Sequence, residues 1–208
     1  MLKTERCKQC RREGKKLFLK GDRCNSGKCS ITKRNYKPGM HGNKTFTKLT
    51  AYGIQLREKQ QAKRIYGINE TQLRNYYDSA MQKKGDTGAK IIDSLERRMD
   101  NVIYRLGIAR SRKEARQLVK HGFFVLNGKK ADIPSMQVKM NDIINFKKTK
   151  EGKKVAEKIS GNNVDASKLP SWLVIDIKNK SGKVVGDPKA EEVNPIFDLK
   201  AIVEFYSR

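Results

Sequence analysis

Apolar residues recur at helical spacing through the middle of the chain, whereas the first 45 or so residues show almost no periodic apolar pattern. In YGIQLREKQQAKRIYG, Tyr52, Leu56, Lys59, Lys63 and Tyr66 share a helical face and Gly67 supplies a C-terminal stop. A second helix is predicted in NETQLRNYYDSAMQKKG, with Asn69 as cap, Leu73, Tyr76/Tyr77 and Ala80/Met81 on one face, and Gly85 and Gly88 as breakers. A third runs without interruption through AKIIDSLERRMDNVIYRLG. Its apolar stripe of Ile91/Ile92, Leu95, Met99, Val102/Ile103 and Leu106 reads as core, and Gly107 ends it.

The next stretch, SRKEARQLVKHGFFVLNGKK, switches period. Ser111 and Glu114 form the S-x-x-E capping pattern, so a helix begins at Arg112 with Ala115, Leu118 and Val119 facing inward. Gly122 ends it, FFVL reads as a strand, and Asn127-Gly128 is a two-residue hairpin signal. Returning strands are expected at Gln137–Val138 and Asp142–Phe146. Residues 147–169 are polar, with a lysine-rich helix around Glu151–Ile159. WLVIDI is a strand, and KNKSGK turns into a further one. Asn194 and Pro195 are expected to open a last helix carrying Ile196, Leu199, Val203 and Tyr206, although alternating Ala201, Val203 and Phe205 also suit a strand. The fold class expected is α+β, with helices dominating 46–92 and mixed helix and strand over 93–193.

Charge adds a partner to this outline. The 208 residues carry 47 Lys+Arg against 22 Asp+Glu, a formal +25. Residues 1–48 hold 15 basic and 3 acidic side chains and residues 96–160 hold 17 and 7, whereas residues 161–208 hold 7 of each. A charge spread only for solubility would be more even, so two segments are marked as contact surface for a polyanion and the tail as scaffold. No apolar run reaches the ~20 residues of a bilayer span. The charged N-terminus has no apolar signal core, and the cytoplasm is the expected compartment. A basic amphipathic helix with an aromatic or leucine face is not evident, which favours nucleic acid over a membrane surface.

The candidate chemistry is confined to the start of the chain. Cys7-x2-Cys10 is followed by thirteen residues and then Cys24-x4-Cys29, two close pairs in the layout of a four-thiolate site. Zn2+ is the first reading and a 4Fe-4S cluster the second, with disulfides or idle thiols behind them. The only histidines, His41 in PGMHG and His121 before Gly122, suit caps or RNA contacts better than catalytic bases. No P-loop, HExxH or GxSxG pattern is present, so no catalytic residue is assigned. One cationic surface is expected from Arg97, Arg98, Arg105, Arg112, Lys113, Arg116, Lys120, Lys129 and Lys130. The other is expected around the cysteines, from Lys8, Arg11, Arg12, Lys15, Lys16 and Arg23 with Arg57, Lys63 and Arg64.

The segment ERRMDNVIYRLGIARSRKEARQLVKHGFFVLNGKK closely resembles the RNA-binding domain named after small-subunit ribosomal protein S4, which also occurs in RNA-modifying enzymes. CRREGKKLFLKG, PGMHG, YGIQLREKQQAKRIYG and VEFYSR extend the resemblance to the bacterial S4 family itself, from Cys7 to Arg208. It implies a metal-stapled basic segment at 1–45, a helical domain at 46–92 on which the C-terminal helix at 194–208 packs back, and an α/β domain with an antiparallel sheet at 93–193 holding the RNA-binding module at 96–146. It implies a non-enzymatic primary binder of 16S rRNA that nucleates 30S assembly, with contacts to ribosomal protein S5 and an influence on decoding accuracy. It also implies a share of the channel through which mRNA enters. The loop linked with that channel is here NKTFTKLT, with only Lys44 and Lys48 as cations, which is weakly basic for the role. Many family members lack the four cysteines, so the resemblance is to a metal-binding subset. The competing reading is an RNA-modifying enzyme or an RNA-binding regulator using the same module, and the enzyme would need a catalytic domain larger than the 48 residues after position 160. A zinc-dependent DNA-binding regulator would want a recognition helix and a dimerisation surface, and neither is recognisable.

Overall fold

The computed structural model describes residues 5–43, 48–149, 157, 169–176, 179 and 181–208. Lys44 and, apart from Glu157, the helix expected at Glu151–Ile159 lie outside the described residues. The chain divides into two compact units, Met1–Ile91 with Pro195–Arg208, and Ile92–Asn194.

The first unit begins with α1 (Glu5–Glu13), α2 (Asp22–Asn25) and α3 (Ser30–Lys33). Its opening segment thus holds helices that the sequence pattern did not predict. They escape detection because the segment's buried apolar side chains are Leu17, Ile31, Cys10, Cys24 and Cys29, too few and too irregular for a period. Longer helices follow. In α4 (Ala51–Tyr66) the Thr50 hydroxyl accepts the Gly53 N–H at 3.1 Å, and Gly67 closes the helix in the left-handed region at φ 63°. α5 (Glu70–Met81) starts with a reciprocal capping box between Asn69 and Gln72. Its buried face is Leu73, Tyr77 and Ala80, while Met81 is exposed.

α6 (Thr87–Glu96) starts at Thr87, so Gly88 lies inside a helix instead of breaking one. Its missing Cβ lets the chain approach Leu199, whose Cβ would sit 3.4 Å from a side chain placed there.

The last helix also differs from expectation. α9 (Ala190–Val193) ends at Asn194, which takes a left-handed cap at φ 38°, and α10 (Leu199–Tyr206) begins only after Asp198. The Asp198 carboxylate accepts the Lys200 N–H at 2.8 Å, and its own N–H is held by Glu58 at 2.9 Å. Asn194 thus closes one helix where the sequence had it open the next. α10 packs on α4 and α5 through the ring pairs Tyr52–Phe205 and Tyr77–Tyr206, and Phe197, just before it, sets its ring against Tyr66.

The second unit is a sheet covered by helices. The continuous third helix of the sequence reading is two, α6 and α7 (Met99–Arg105), parted at Arg97–Arg98. The cause is a competing set of backbone partners. Met99 N–H donates to the Met136 carbonyl, Asp100 N–H to that of Pro134, and Val138 N–H to that of Arg97. Gln137 therefore forms an isolated bridge with Arg98, not the strand expected at Gln137–Val138. α8 (Arg112–Lys120) follows, capped as expected by the Ser111 hydroxyl on the Glu114 N–H. The Glu114 carboxylate reaches the Arg110 N–H instead of closing the box on Ser111.

The strands are β1 (Phe124–Leu126), β2 (Lys129–Ala131), β3 (Ile143–Phe146), β4 (Leu173–Asp176) and β5 (Ser181–Val184). They form an antiparallel sheet in the order β2-β1-β3-β5-β4. Leu126 pairs with Lys129 across Asn127 and Gly128, both at positive φ, which is the mirror-image turn that matches strand twist. Met99, Val102, Ile103, Leu106, Ala115 and Val119 close over Phe124, Ala131, Ile144, Leu173 and Val184 to form the core.

Candidate nucleic-acid interface

In the second unit the cations of α7 and α8 are built on two buried acids. Glu96 accepts from Arg105 Nε and Nη2, both at 2.9 Å, and from Asn101 Nδ2 at 2.7 Å, with Arg112 Nη2 3.9 Å away. Asp100 is gripped by Arg98 through Nε at 3.1 Å and Nη2 at 2.9 Å, and by Arg116 Nη1 at 3.3 Å. Arg112 Nε donates to Asn101 Oδ1 at 2.7 Å, and its guanidinium lies 4.5 Å from the centre of the Tyr104 ring. Four arginines against two carboxylates leave a surplus of positive charge in a rigid setting. The Asp100 and Glu96 side chains need these partners, because an unpaired charge at their depth would be prohibitive.

This arrangement sorts the expected residues. Arg98 is 0% exposed, so it has no surface to offer a phosphate and serves the fold instead. Arg97 is ion-paired with Asp93 at 2.6 Å and also with Asp187. Arg105 and Arg112 are mostly covered, whereas the Arg116 side chain is 42% exposed. Lys113 and Lys120 on α8, His121 at its C-cap and Lys129 at the hairpin are exposed, and Lys130 pairs on the surface with Asp132 at 2.7 Å. α8 and the hairpin thus present the accessible part of the cationic surface expected here. The acids beneath them were not singled out from sequence. One signal was available: Glu96 falls on the apolar stripe with Met99 and Ile103, and a carboxylate at such a position requires buried partners.

In the first unit the expected cations divide in the same way. Arg57 and Arg64 both bind the Glu13 carboxylate, whose side chain is fully covered. Lys63 binds Glu70 at 2.8 Å, next to Lys59 on the same carboxylate at 2.7 Å. Lys15 spans Glu58 and the Ile196 carbonyl. Arg11 donates to the carbonyls of Tyr36 and Lys37 and lies over the Tyr36 ring, so it staples the following loop to α1. Lys8, Arg12, Lys16, Arg23 and His41 are exposed, and they form the accessible part of the surface expected here.

The four cysteines are free thiols lining one pocket, together with Arg6, Leu19, Lys20, Arg23, Ser30 and Ile31. Backbone amides point at the sulfurs. The Lys20 N–H lies 3.3 Å from Cys24 Sγ, the Leu17 amide faces Cys10, and those of Ile31 and Thr32 face Cys29. Burial pushes the Cys10 and Cys24 thiols up, with the neighbouring cysteines adding to it. At Cys29 burial is outweighed by the Ile31 and Thr32 amides, the Thr32 hydroxyl and Lys16, which bring its thiol down. Amide donors stabilise the deprotonated sulfur that a thiolate-bound metal requires, and at Cys29 they prevail over burial. Among the described residues no group of three or more His, Cys, Asp or Glu stands at metal-holding geometry.

Residues 1–96 match the family described as the ribosomal protein S4/S9 N-terminal domain, and residues 97–144 match the S4 domain. The chain is 51% identical over 203 residues to the small ribosomal subunit protein uS4 of Syntrophomonas wolfei, covering 97% of this chain and 96% of that one. The chain belongs to the uS4 family. The uS4 proteins of Clostridioides difficile, at 51% identity, and Thermotoga maritima, at 49%, align over the same shares of both chains. The S4-domain match spans α7, α8 and the hairpin, so the family's RNA-binding module coincides with the platform of paired arginines and exposed lysines.

Proposed function

We propose that this chain is a structural, non-enzymatic component of the small ribosomal subunit, binding 16S rRNA and residing with the ribosome in the cytoplasm. The observation that carries this is identity of about half to uS4 proteins along nearly the whole of both chains. The mode of binding is shape recognition through phosphate and sugar contacts, drawn from the exposed cations of α8 and the hairpin and from those around the cysteines. Lys113, Arg116, Lys120 and Lys129 serve in the first surface, with the small exposed part of Arg112 one turn before Arg116, and Lys8, Arg12, Lys16 and Arg23 in the second. As a primary binder the protein would nucleate 30S assembly and influence accuracy, meeting ribosomal protein S5 and, more weakly, mRNA through the segment that holds Lys44 and Lys48. Affinity for folded 16S rRNA against duplex DNA across a salt series tests the core of this reading. A marked preference for the rRNA is expected, and equal affinity with identical salt slopes would sink it.

Cys7, Cys10, Cys24 and Cys29 are proposed to hold Zn2+, with a 4Fe-4S cluster as the alternative. Their convergence on one pocket and the amides aimed at the sulfurs support this. A bound metal would supply folding free energy to a segment whose own apolar core is little more than Leu17 and Ile31. Metal analysis with a visible spectrum separates the two, since zinc has a full d shell and is colourless whereas a cluster absorbs broadly. A purified chain with neither metal nor iron, and no gain in melting temperature on zinc addition, would overturn the assignment.

A further inference from the structure

We propose that Asp100, Asn101 and Tyr104 are positioning residues for RNA binding, fixing the guanidinium groups of Arg116 and Arg112 in the orientation in which they meet phosphate. This rests on the RNA-binding reading above and adds residues that would not themselves touch RNA.

A carboxylate under an RNA-facing surface has the wrong sign for its partner, so its presence needs a reason. Asp100 is 3% exposed, and Arg98 already neutralises it through two hydrogen bonds. The further contact from Arg116 Nη1 at 3.3 Å is therefore not needed to satisfy the acid. Its consequence falls on Arg116, whose side chain is 42% exposed and would otherwise sample many rotamers. With one of its five N–H donors anchored inward, the planar guanidinium presents the others in a fixed fork.

Arg112, one turn earlier on α8, is mostly covered but keeps 16% of its side chain exposed to meet a phosphate, and it too is held in place. Asn101 Oδ1 accepts its Nε–H at 2.7 Å, while Asn101 Nδ2 is fixed by the Glu96 side chain and backbone carbonyl. The Tyr104 ring lies 4.5 Å from the guanidinium carbon. A hydrogen bond on one edge and a ring against one face together define the plane of the group. Immobilising these side chains before RNA arrives lowers the ordering cost of the complex.

The test exploits a sign. Asp100→Asn raises the net charge by one, so charge alone predicts tighter RNA binding with a steeper salt dependence. Positioning predicts the opposite. Affinity of the full chain for a 16S rRNA transcript would be measured across a salt series for the wild type, Asp100→Asn, Tyr104→Leu, Arg116→Ala and the Asp100→Asn/Arg116→Ala double variant. Thermal melts would precede it, because Asp100→Asn also strips buried Arg98 of its counter-charge. The expected results are a loss of about 5- to 10-fold for Asp100→Asn and about 3-fold for Tyr104→Leu at unchanged salt slope. In the Arg116→Ala background, Asp100→Asn should add less than about 2-fold, since it acts through that arginine. Tighter or unchanged binding by folded Asp100→Asn overturns the proposal. Should that variant not fold, wild-type affinity of Tyr104→Leu overturns it instead. A wild type that does not prefer the rRNA to duplex DNA removes the underlying reading as well, and this shows before any variant is made.

Discussion

At Glu70 three donors meet one carboxylate: Lys59 Nζ at 2.7 Å, Lys63 Nζ at 2.8 Å and the Tyr206 hydroxyl at 2.7 Å. Burial alone would raise this carboxyl, but the three hydrogen bonds outweigh it and bring it down to about 2 from the ordinary 4.5. The Tyr206 phenol is pushed up by burial and by Glu70, so it stays protonated and remains the donor. A carboxyl held lower in the folded than in the unfolded chain stabilises the fold fully above the unfolded value. That contribution is lost as pH falls from about 4.5 towards about 2. The Glu70 side chain is 43% exposed, so screening reduces the contribution to about 1 kcal/mol. Glu70→Gln should therefore lower stability by about that amount at pH 7 and flatten the acid limb below pH 4.5, as followed by urea unfolding across pH. Arg98 tests a different residue-scale claim. Arg98→Met leaves Asp100 buried with Arg116 as its cationic partner among the described residues and should cost about 3–5 kcal/mol, read as a fall in the denaturation midpoint. A stable Arg98→Met chain with selectively weakened RNA binding would return Arg98 to the contact surface.

Among elements, those whose signals are local were legible. The Asn69 cap, the Gly67 stop, the Ser111 cap and the Asn127-Gly128 hairpin each lie within a few residues of what they control, and each occurs where the pattern placed it. Where two segments compete for the same backbone groups, the pattern failed. The apolar stripe from Ile91 to Leu106 carries no mark of the break at Arg97–Arg98, because the interrupting partners are carbonyls and amides of residues 134–138. Asn194 carries a good capping side chain, yet Asp198 wins since Glu58 holds its amide. Close approach is equally invisible from sequence. Gly182 pairs with Ile144 and Ile175, and a Cβ there would stand 2.6 Å from Leu106 Cδ1. Leu106 is fully buried and has little room to yield. Gly182→Ala should therefore destabilise the second unit by about 1–3 kcal/mol, seen as a lower melting temperature. An unchanged midpoint would mean that the core relaxes around the methyl group.

For the whole molecule, composition decided the class of partner and the fold decided which charges reach it. A formal +25 concentrated in residues 1–48 and 96–160 is a property of the chain alone, and long-range attraction to a polyanion follows from it whatever the detailed fold. Lys113, Lys120 and Lys129 are exposed, so replacing each with alanine should reduce the slope of log affinity against log salt by about 1. Arg98→Met should leave that slope near the wild-type value, and a filter-binding salt series would distinguish the two behaviours. Sequence by itself determined the helical and strand segments with local signals, the basic surfaces as regions, the cysteine pairing pattern and the family resemblance. All of these depend on residues close together along the chain or on sums over it. The tertiary structure decided that Arg57, Lys63, Arg64 and Arg98 are bound to acids of the protein itself. A cation's availability depends on what lies within a few ångströms of it. In these cases that neighbour is Glu13, Glu70 or Asp100, brought close by packing or local backbone geometry that charge counting does not register.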